Sequence, residues 1–220
     1  MRLKRTYGLL LSLGLLASAP TLIAGCSHSN PASETTEQPA SADHNMAMAD
    51  HSMMDLGPKD DEFDLRFVDG MILHHQGAIA MSEAALENSQ RSEVKELAQN
   101  IIKEQKEEIS QMQSWRQTWY PRAGSDPGMY HAQMGHSMEM SDEMQSSMRM
   151  DSELGKADDE FDLRFINGMI PHHEGALMMA EEGLKNSDRP EIKQVSNDIL
   201  KTQQAEIDLM KQWKKDWYGQ

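Results

Sequence analysis

Cysteine is nearly absent from this chain of 220 residues, because Cys26 is its only thiol. A disulfide within the chain is therefore excluded. The chain also has no Gly-x-Ser-x-Gly sequence and no glycine-rich phosphate loop, which are typical of serine hydrolases and of P-loop nucleotide-binding proteins. The sequence gives no support for nucleophilic catalysis.

Positive charge is also scarce. Lys and Arg number 21 against 36 Asp and Glu, which gives a formal net charge of −15. We expect so acidic a chain to avoid nucleic acid and anionic membrane surfaces, because their phosphates repel it. The simplest consequence of the negative charge is solubility, although it also suits the binding of cations.

The only marked apolar stretch near the N-terminus, residues 9–16, is too short for a stable membrane span. It follows the basic residues Arg2, Lys4 and Arg5, which is the layout of a signal peptide over residues 1–25. The small residues before Cys26 match a bacterial lipobox, which predicts lipidation of Cys26 and a lipoprotein. An ordinary secretory signal with a nearby cleavage site is the alternative. Either way, we expect export to the periplasm or cell envelope.

The dominant feature that is present is an internal repeat. Residues 60–120 and 158–218 align without gaps, and 32 of the 61 positions are identical. In each copy, apolar residues recur at helical spacing over two segments that are separated by a very short turn. Each copy, residues 59–120 and residues 158–220, is therefore predicted to be a helical hairpin. A hairpin cannot bury its apolar face alone, so we predict an all-α fold in which the two hairpins form a four-helix bundle.

The remaining segments differ from the repeats in composition. Residues 26–58 are rich in Ser, Ala, Pro, Asp and Met without a hydrophobic period, so we predict a disordered tether. Residues 121–157 are rich in Pro, Gly, Ser and Met and show no apolar stripe. We predict a disordered Met/His-rich linker there, with room for a helical part near residues 138–148.

Each repeat carries two adjacent histidines between methionines. Adjacent residues differ by about 100° around a helix, so we expect one histidine of each pair to bind a metal while the other contacts Glu108 or Gln105 of the second helix. The spacing does not decide which one does so. Core packing is the alternative role for the two methionines on the second helices. The candidate ligands in the repeats are Met71, His74, His75, Met81, Met112, Met169, His172, His173, Met179 and Met210.

Methionine and histidine also cluster outside the repeats. The chain has 19 methionines against four phenylalanines. Thioether sulfur is a soft, neutral ligand, which favours Cu(I), with Ag(I) as an alternative, and imidazole also binds Cu(II). The candidate ligands of the tether and linker are His44, Met46, Met48, His51, His131, Met134, His136 and Met138. The sequence therefore predicts copper as the bound ion.

The motifs D-x-x-F, M-I-x-H-H-x-x-A-x-x-M and I-I-x-x-Q-x-x-E-I-x-x-M of the first repeat resemble the bacterial family called domain of unknown function 305, which is placed among ferritin-like helical folds. The resemblance covers both repeats and neither tail. Members with tandem domains and Met/His-rich tracts are similar to periplasmic copper-binding proteins of the cyanobacterial type. The resemblance implies an exported helical protein linked to copper resistance, with the His/Met sets of the repeats as ligands. The lipid anchor departs from that pattern.

We therefore expect a non-enzymatic protein of the cell envelope that sequesters or shuttles copper and contributes to copper homeostasis. Its expected partners are metal ions and copper efflux or chaperone components, and it reaches the membrane only through the lipid anchor. One alternative is a ferritin-like di-iron or redox enzyme, but such bundles use Glu-x-x-His pairs and the chain contains none. The other alternative is a lipid-tethered interaction module whose His/Met sets are packing.

Overall fold

The computed structural model describes residues 54–220. Its elements are α1 (Phe63–Asn88), α2 (Ser92–Trp119), β1 (Gly128–His131), β2 (His136–Glu139), α3 (Asp142–Arg149), α4 (Phe161–Asn186) and α5 (Pro190–Tyr218). The predicted all-α fold of two helical hairpins is confirmed, with a two-stranded sheet as the only non-helical element in the described part. Within that part, no helix combines the length and the apolarity that crossing a bilayer requires.

The two hairpin turns are short because a serine side chain closes each of them. Ser89 leaves the helical conformation with ψ 144°, and its hydroxyl accepts a hydrogen bond from the Arg91 backbone N–H at 3.1 Å. Ser187 does the same for Arg189 at 3.0 Å. In the second hairpin, Pro190 then occupies the first turn of α5, where a missing N–H has no helical partner to lose. The predicted turns are confirmed.

Two apolar clusters form the core, and each is built from both hairpins. The first core cluster includes Phe63, Phe67, Met71 and Met112 of the first hairpin, with Met179, Ile192, Val195 and Ile199 of the second. The second core cluster includes Met81, Ala85, Leu97 and Ile101 of the first hairpin, with Phe161, Phe165, Met169 and Met210 of the second. The beginning of each hairpin's first helix therefore packs near the turn of the other hairpin. The four-helix arrangement forms within one chain.

Tryptophan pairs at the hairpin ends hold the two hairpins together. The guanidinium group of Arg189 lies 4.1 Å from the ring centroid of Trp119, and that of Arg91 lies 4.2 Å from the centroid of Trp217. Each cation–π contact contributes about 0.5–2 kcal/mol. Because each arginine comes from the turn of the opposite hairpin, these contacts join the two hairpins at the same ends at which the core clusters join them.

The linker is folded, so the prediction of disorder over residues 121–157 is wrong. Strands β1 and β2 pair antiparallel, and Ser141 caps the N-terminus of α3, where its hydroxyl accepts a hydrogen bond from the Met144 N–H at 3.3 Å. Met140 and Met148 are buried in the first core cluster. The sequence of the linker has no apolar stripe that would predict this structure. The segment contributes only single apolar residues to a core that the long helices form.

The last residues of the predicted tether also belong to the folded body, which corrects the boundary at residue 58. Met54 and Leu56 are buried, and burying such side chains contributes about 1.5–3 kcal/mol each. Arg66 Nε donates to the Leu56 carbonyl at 2.7 Å, as Arg164 Nε does to the Leu154 carbonyl at 2.6 Å. The Leu-Gly pairs at 56–57 and 154–155 show that the repeat begins earlier than the motif pattern indicated.

Candidate metal centre

All four histidines of the long helices are buried, and they fall into two kinds. His74 and His172 lie at the contact between α1 and α4, where their rings stack with centroids 3.9 Å apart. His75 and His173 turn instead toward the second helix of their own hairpin. The two histidines of each pair therefore have different neighbours, and the second one contacts the glutamate. The assignment of one histidine of each pair as a metal ligand stays a prediction.

A glutamate positions the second histidine of each pair. His75 Nε2 lies 2.6 Å from Glu108 Oε2, and His173 Nε2 lies 2.7 Å from Glu206 Oε2. The carboxylate can only accept, so the neutral imidazole carries its proton on Nε2 and its lone pair on Nδ1. Both Nδ1 atoms are buried without a hydrogen-bond partner. Carboxylate–histidine pairs of this kind orient metal ligands in many proteins.

The methionines next to these histidines are fully buried. Met71 precedes His75 by one helical turn, and Met112 follows Glu108 by one turn. Since α1 and α2 run antiparallel and His75 meets Glu108, the two methionines occupy the neighbouring layer of the same interface. Both belong to the first core cluster. The equivalent pair of the second hairpin, Met169 and Met210, belongs to the second core cluster.

The third methionine of each cluster comes from the opposite hairpin. Met179 Cε lies 3.2 Å from the position that a Cβ atom would take at Gly70, directly before Met71. Met81 Sδ lies 3.5 Å from the corresponding position at Gly168, directly before Met169. In the sequence Met71 and Met81 flank the same histidine pair, whereas the fold places them in different core clusters. The absent side chain at each glycine provides the space for this close packing.

The stacked pair His74 and His172 is surrounded by backbone carbonyl groups. His74 Nδ1 lies 3.0 Å from the Met148 carbonyl oxygen and His74 Nε2 lies 2.8 Å from that of His172. His172 Nε2 donates to the Arg149 carbonyl at 2.9 Å. Burial lowers the pKa of His74 to about 4, and burial followed by the nearby His74 lowers the pKa of His172 well below its ordinary value.

The geometry of this pair does not favour one shared ion, although His172 Nδ1, like Nδ1 of His75 and His173, is buried without a hydrogen-bond partner. Two neutral imidazoles have only two N–H groups, so one of the three carbonyl oxygens faces a lone pair. The ring planes differ by 16°, and nitrogen lone pairs lie in those planes, so two stacked rings do not direct both lone pairs at one ion. His172 Nε2 also lies 3.1 Å from where a Cβ would stand at Gly77. The contacts of this pair join the linker backbone, the two rings and the backbone of α4.

Nitrogen and oxygen ligands alone do not form a metal site in the described part of the chain. Among residues 54–220, no three His, Cys, Asp or Glu side chains are grouped so that they could hold an ion. The buried Oε1 atoms of Gln105 and of Gln203, its equivalent in the second repeat, have no hydrogen-bond partner, and Glu108 rather than Gln105 contacts His75. An ion bound in this interior would need methionine sulfur, which selects a soft metal.

The predicted ligands outside the helices have different positions. His131 and His136 face each other across β1 and β2, Met138 lies in β2, and Met134 is 63% exposed in the turn between the strands. None of these joins the buried sets. The tether candidates His44, Met46, Met48 and His51, with the predicted lipidation site Cys26, lie outside the described residues.

Sequence reasoning missed the linker residues that reach the histidines. The carbonyl groups of Met148 and Arg149 contact the stacked rings, and Met150 Sδ lies 3.4 Å from where a Cβ would stand at Gly175. The two carbonyl contacts are made by the backbone, so side-chain patterns contain no signal for them. The available hint was the glycine three residues after the first histidine in both copies.

Comparison with known proteins gives a family and a set of similar structures. A family model described as a domain of unknown function (DUF305) matches residues 24–89 and 64–214. The structure is similar to CopM in the Cu(I)-bound form, with 37% identity and a TM-score of 0.56, over 70% of this chain and 97% of that chain. CopM in the Cu(II)-bound form, at 40% identity, and in an Ag-bound form, at 37%, matches over the same shares.

Two further relatives come from other organisms. A DUF305 fragment from Deinococcus radiodurans is 30% identical with a TM-score of 0.55, over 70% of this chain and 96% of that chain. An uncharacterized protein of Acanthamoeba polyphaga mimivirus is 43% identical over 49 residues, which is 22% of this chain. The match covers about a third (32%) of the length of that curated relative.

Proposed function

Because this chain belongs to the DUF305 family, we propose that it is a copper-binding protein that takes up Cu(I) in its helical core. The observation that carries the proposal is the pair of buried histidines, His75 and His173. Each is held by a glutamate and keeps a buried Nδ1 without a hydrogen-bond partner, and a buried methionine of the same helix precedes each by one turn. Similar CopM structures contain Cu(I), Cu(II) and Ag, which supports the identity of the metal.

The proposed ligands form two equivalent sets. Each set combines one histidine Nδ1, the two methionines one turn away in the same hairpin, and one methionine of the opposite hairpin. The sets are His75 with Met71, Met112 and Met179, and His173 with Met169, Met210 and Met81. Thioethers bind Cu(I) without losing a proton and discriminate against hard ions. Glu108 and Glu206 hold each imidazole in the tautomer that offers Nδ1 to the ion.

The proposed role is sequestration or transfer of Cu(I), with Ag(I) or Cu(II) as other ions, in the cell envelope. Support for export comes from the basic and apolar pattern of residues 1–25, and support for a lipid anchor comes from Cys26. A non-enzymatic role fits a core whose donors are mostly methionine sulfur. Copper efflux or chaperone components are the proposed recipients of the ion, and copper resistance is the proposed outcome.

Anaerobic titration of the full chain with Cu(I), in competition with a chromophoric chelator, tests the buried sites. We expect at least two equivalents bound more tightly than about 1 µM. The variant M71L/M112L should lose one of them, and adding M169L/M210L should remove the second. Leucine preserves the core volume of methionine at a cost below about 1.5 kcal/mol.

A matched control is Met178→Leu, which changes a methionine that is 39% exposed and leaves both sets intact. It should bind as the unsubstituted chain does. Binding of less than one tight equivalent, or unchanged binding by the fourfold leucine variant, would overturn the proposal. Copper tolerance of cells that carry the fourfold variant then measures whether the role in resistance depends on these sets.

A further inference from the structure

The β-hairpin of the linker, formed by β1, β2 and the turn between them and called the linker hairpin below, brings together two histidines that are not part of the proposed buried sets. Among residues 54–220, His131 and His136 are the histidines outside the buried core. They stand directly opposite each other across the antiparallel pair of β1 and β2. Directly opposed side chains have Cβ atoms about 4.5–5.5 Å apart, a separation that allows two imidazoles to reach one ion.

A thioether lies on the same face of this two-stranded sheet. Side chains alternate between the two faces of a strand, so Met138 shares the face of His136, and Met129, opposite Met138, shares the face of His131. Met129 packs against the first core cluster, whereas His136 is exposed. The opposite face of the sheet is also packed. Tyr130 lies over the guanidinium group of Arg66 at 5.3 Å.

The hydrogen bonds of the two imidazoles leave nitrogen available. His136 Nδ1 lies 2.9 Å from the Ser137 carbonyl oxygen and donates to it, so its lone pair is on Nε2, and the residue is exposed. His131 Nδ1 accepts from the Met134 N–H at 3.2 Å. That N–H also donates to the His131 carbonyl at 3.1 Å. An ion that takes His131 Nδ1 therefore leaves the Met134 N–H with a partner.

We propose that the end of the linker hairpin is a surface copper site formed by the imidazoles of His131 and His136 and the thioether of Met138. Two imidazoles bind copper in either oxidation state, and the thioether adds preference for Cu(I) or Ag(I). The inference rests on the proposed copper function for the choice of metal. It adds a solvent-accessible site, distinct from the buried sets, at which an ion arriving from solution is captured.

Site-resolved NMR of the full chain tests this proposal. Copper bound to the tether or to the core changes the amide signals of those segments, so binding at the linker hairpin can be observed separately. Substoichiometric Cu(II), a paramagnetic probe, should broaden the amide signals of residues 128–139. The broadening should be lost in H131A/H136A and in the milder variant His136→Gln, which keeps the hairpin. Gln133→Ala, an exposed change in the same turn, is the matched control and should broaden normally.

Silver ion separates the role of sulfur from that of nitrogen. Ag(I) should shift the same amides, and Met138→Leu should reduce those shifts while Cu(II) broadening persists. If residues 128–139 neither broaden nor shift while core Cu(I) binding is intact, this proposal alone is overturned. If they respond in the fourfold leucine variant of the core, the surface site stands whatever the fate of the buried sets.

Discussion

The carboxylate that holds each proposed ligand histidine should set the copper affinity of that site. In Glu108→Gln, the group 2.6 Å from His75 Nε2 becomes neutral, and its amide can present either oxygen or NH₂ to the ring. Loss of such an orienting partner typically lowers metal affinity 10–100-fold, which is about 1.4–2.7 kcal/mol. The metal-free chain should lose about 1 kcal/mol of unfolding free energy, because a charge-assisted hydrogen bond becomes a neutral one.

Competition titration with Cu(I) and urea unfolding of the metal-free chain measure these two effects. Glu206→Gln should weaken the other site by a similar factor. The matched control is Glu107→Gln, which removes the same charge from an exposed position of the same turn and should leave the affinity nearly unchanged. Equal weakening by the Glu107 and Glu108 variants would show that net charge, not histidine orientation, sets the affinity. An unchanged Glu108 variant would refute the assignment of His75.

Three other changes separate the parts of the centre. Burial lowers the pKa of His74 to about 4 in the folded chain, against about 6.5 in the unfolded chain. The neutral imidazole therefore contributes its full share of the unfolding free energy above about pH 6.5, and up to about 3 kcal/mol of it is lost as the pH falls toward 4. Urea unfolding of His74→Gln should show a smaller pH dependence. Met179→Leu should weaken the same Cu(I) site as changes at Met71, while Met178→Leu should not, and unaltered titration of the Met179 variant would contradict the crossed arrangement. Gly175→Ala should cost about 1–3 kcal/mol by overpacking against the His74 ring, measured by thermal unfolding, and an unchanged midpoint would contradict the close contact at 3.3 Å.

Local patterns were sufficient for the helices and for half of the site. Apolar spacing predicted both hairpins and left Glu108 or Gln105 as the partner of one histidine. The structure pairs His75 with Glu108. The linker was mispredicted because Met140 and Met148 are isolated apolar residues whose burial depends on distant helices. The boundary at residue 58 was misplaced because Leu56 precedes the helical pattern and packs beyond it.

The sequence by itself therefore determined which residues face each other within a hairpin. Two antiparallel helices joined by a short turn pair residues that lie at similar distances from that turn. The tertiary structure alone decided that Met179 joins Met71 and that Met81 joins Met169. It also decided that the first histidine of each pair stacks between the hairpins while the second faces a glutamate. These outcomes depend on how two hairpins pack face to face, and periodicity along one chain segment contains no information about the rotation of its partner.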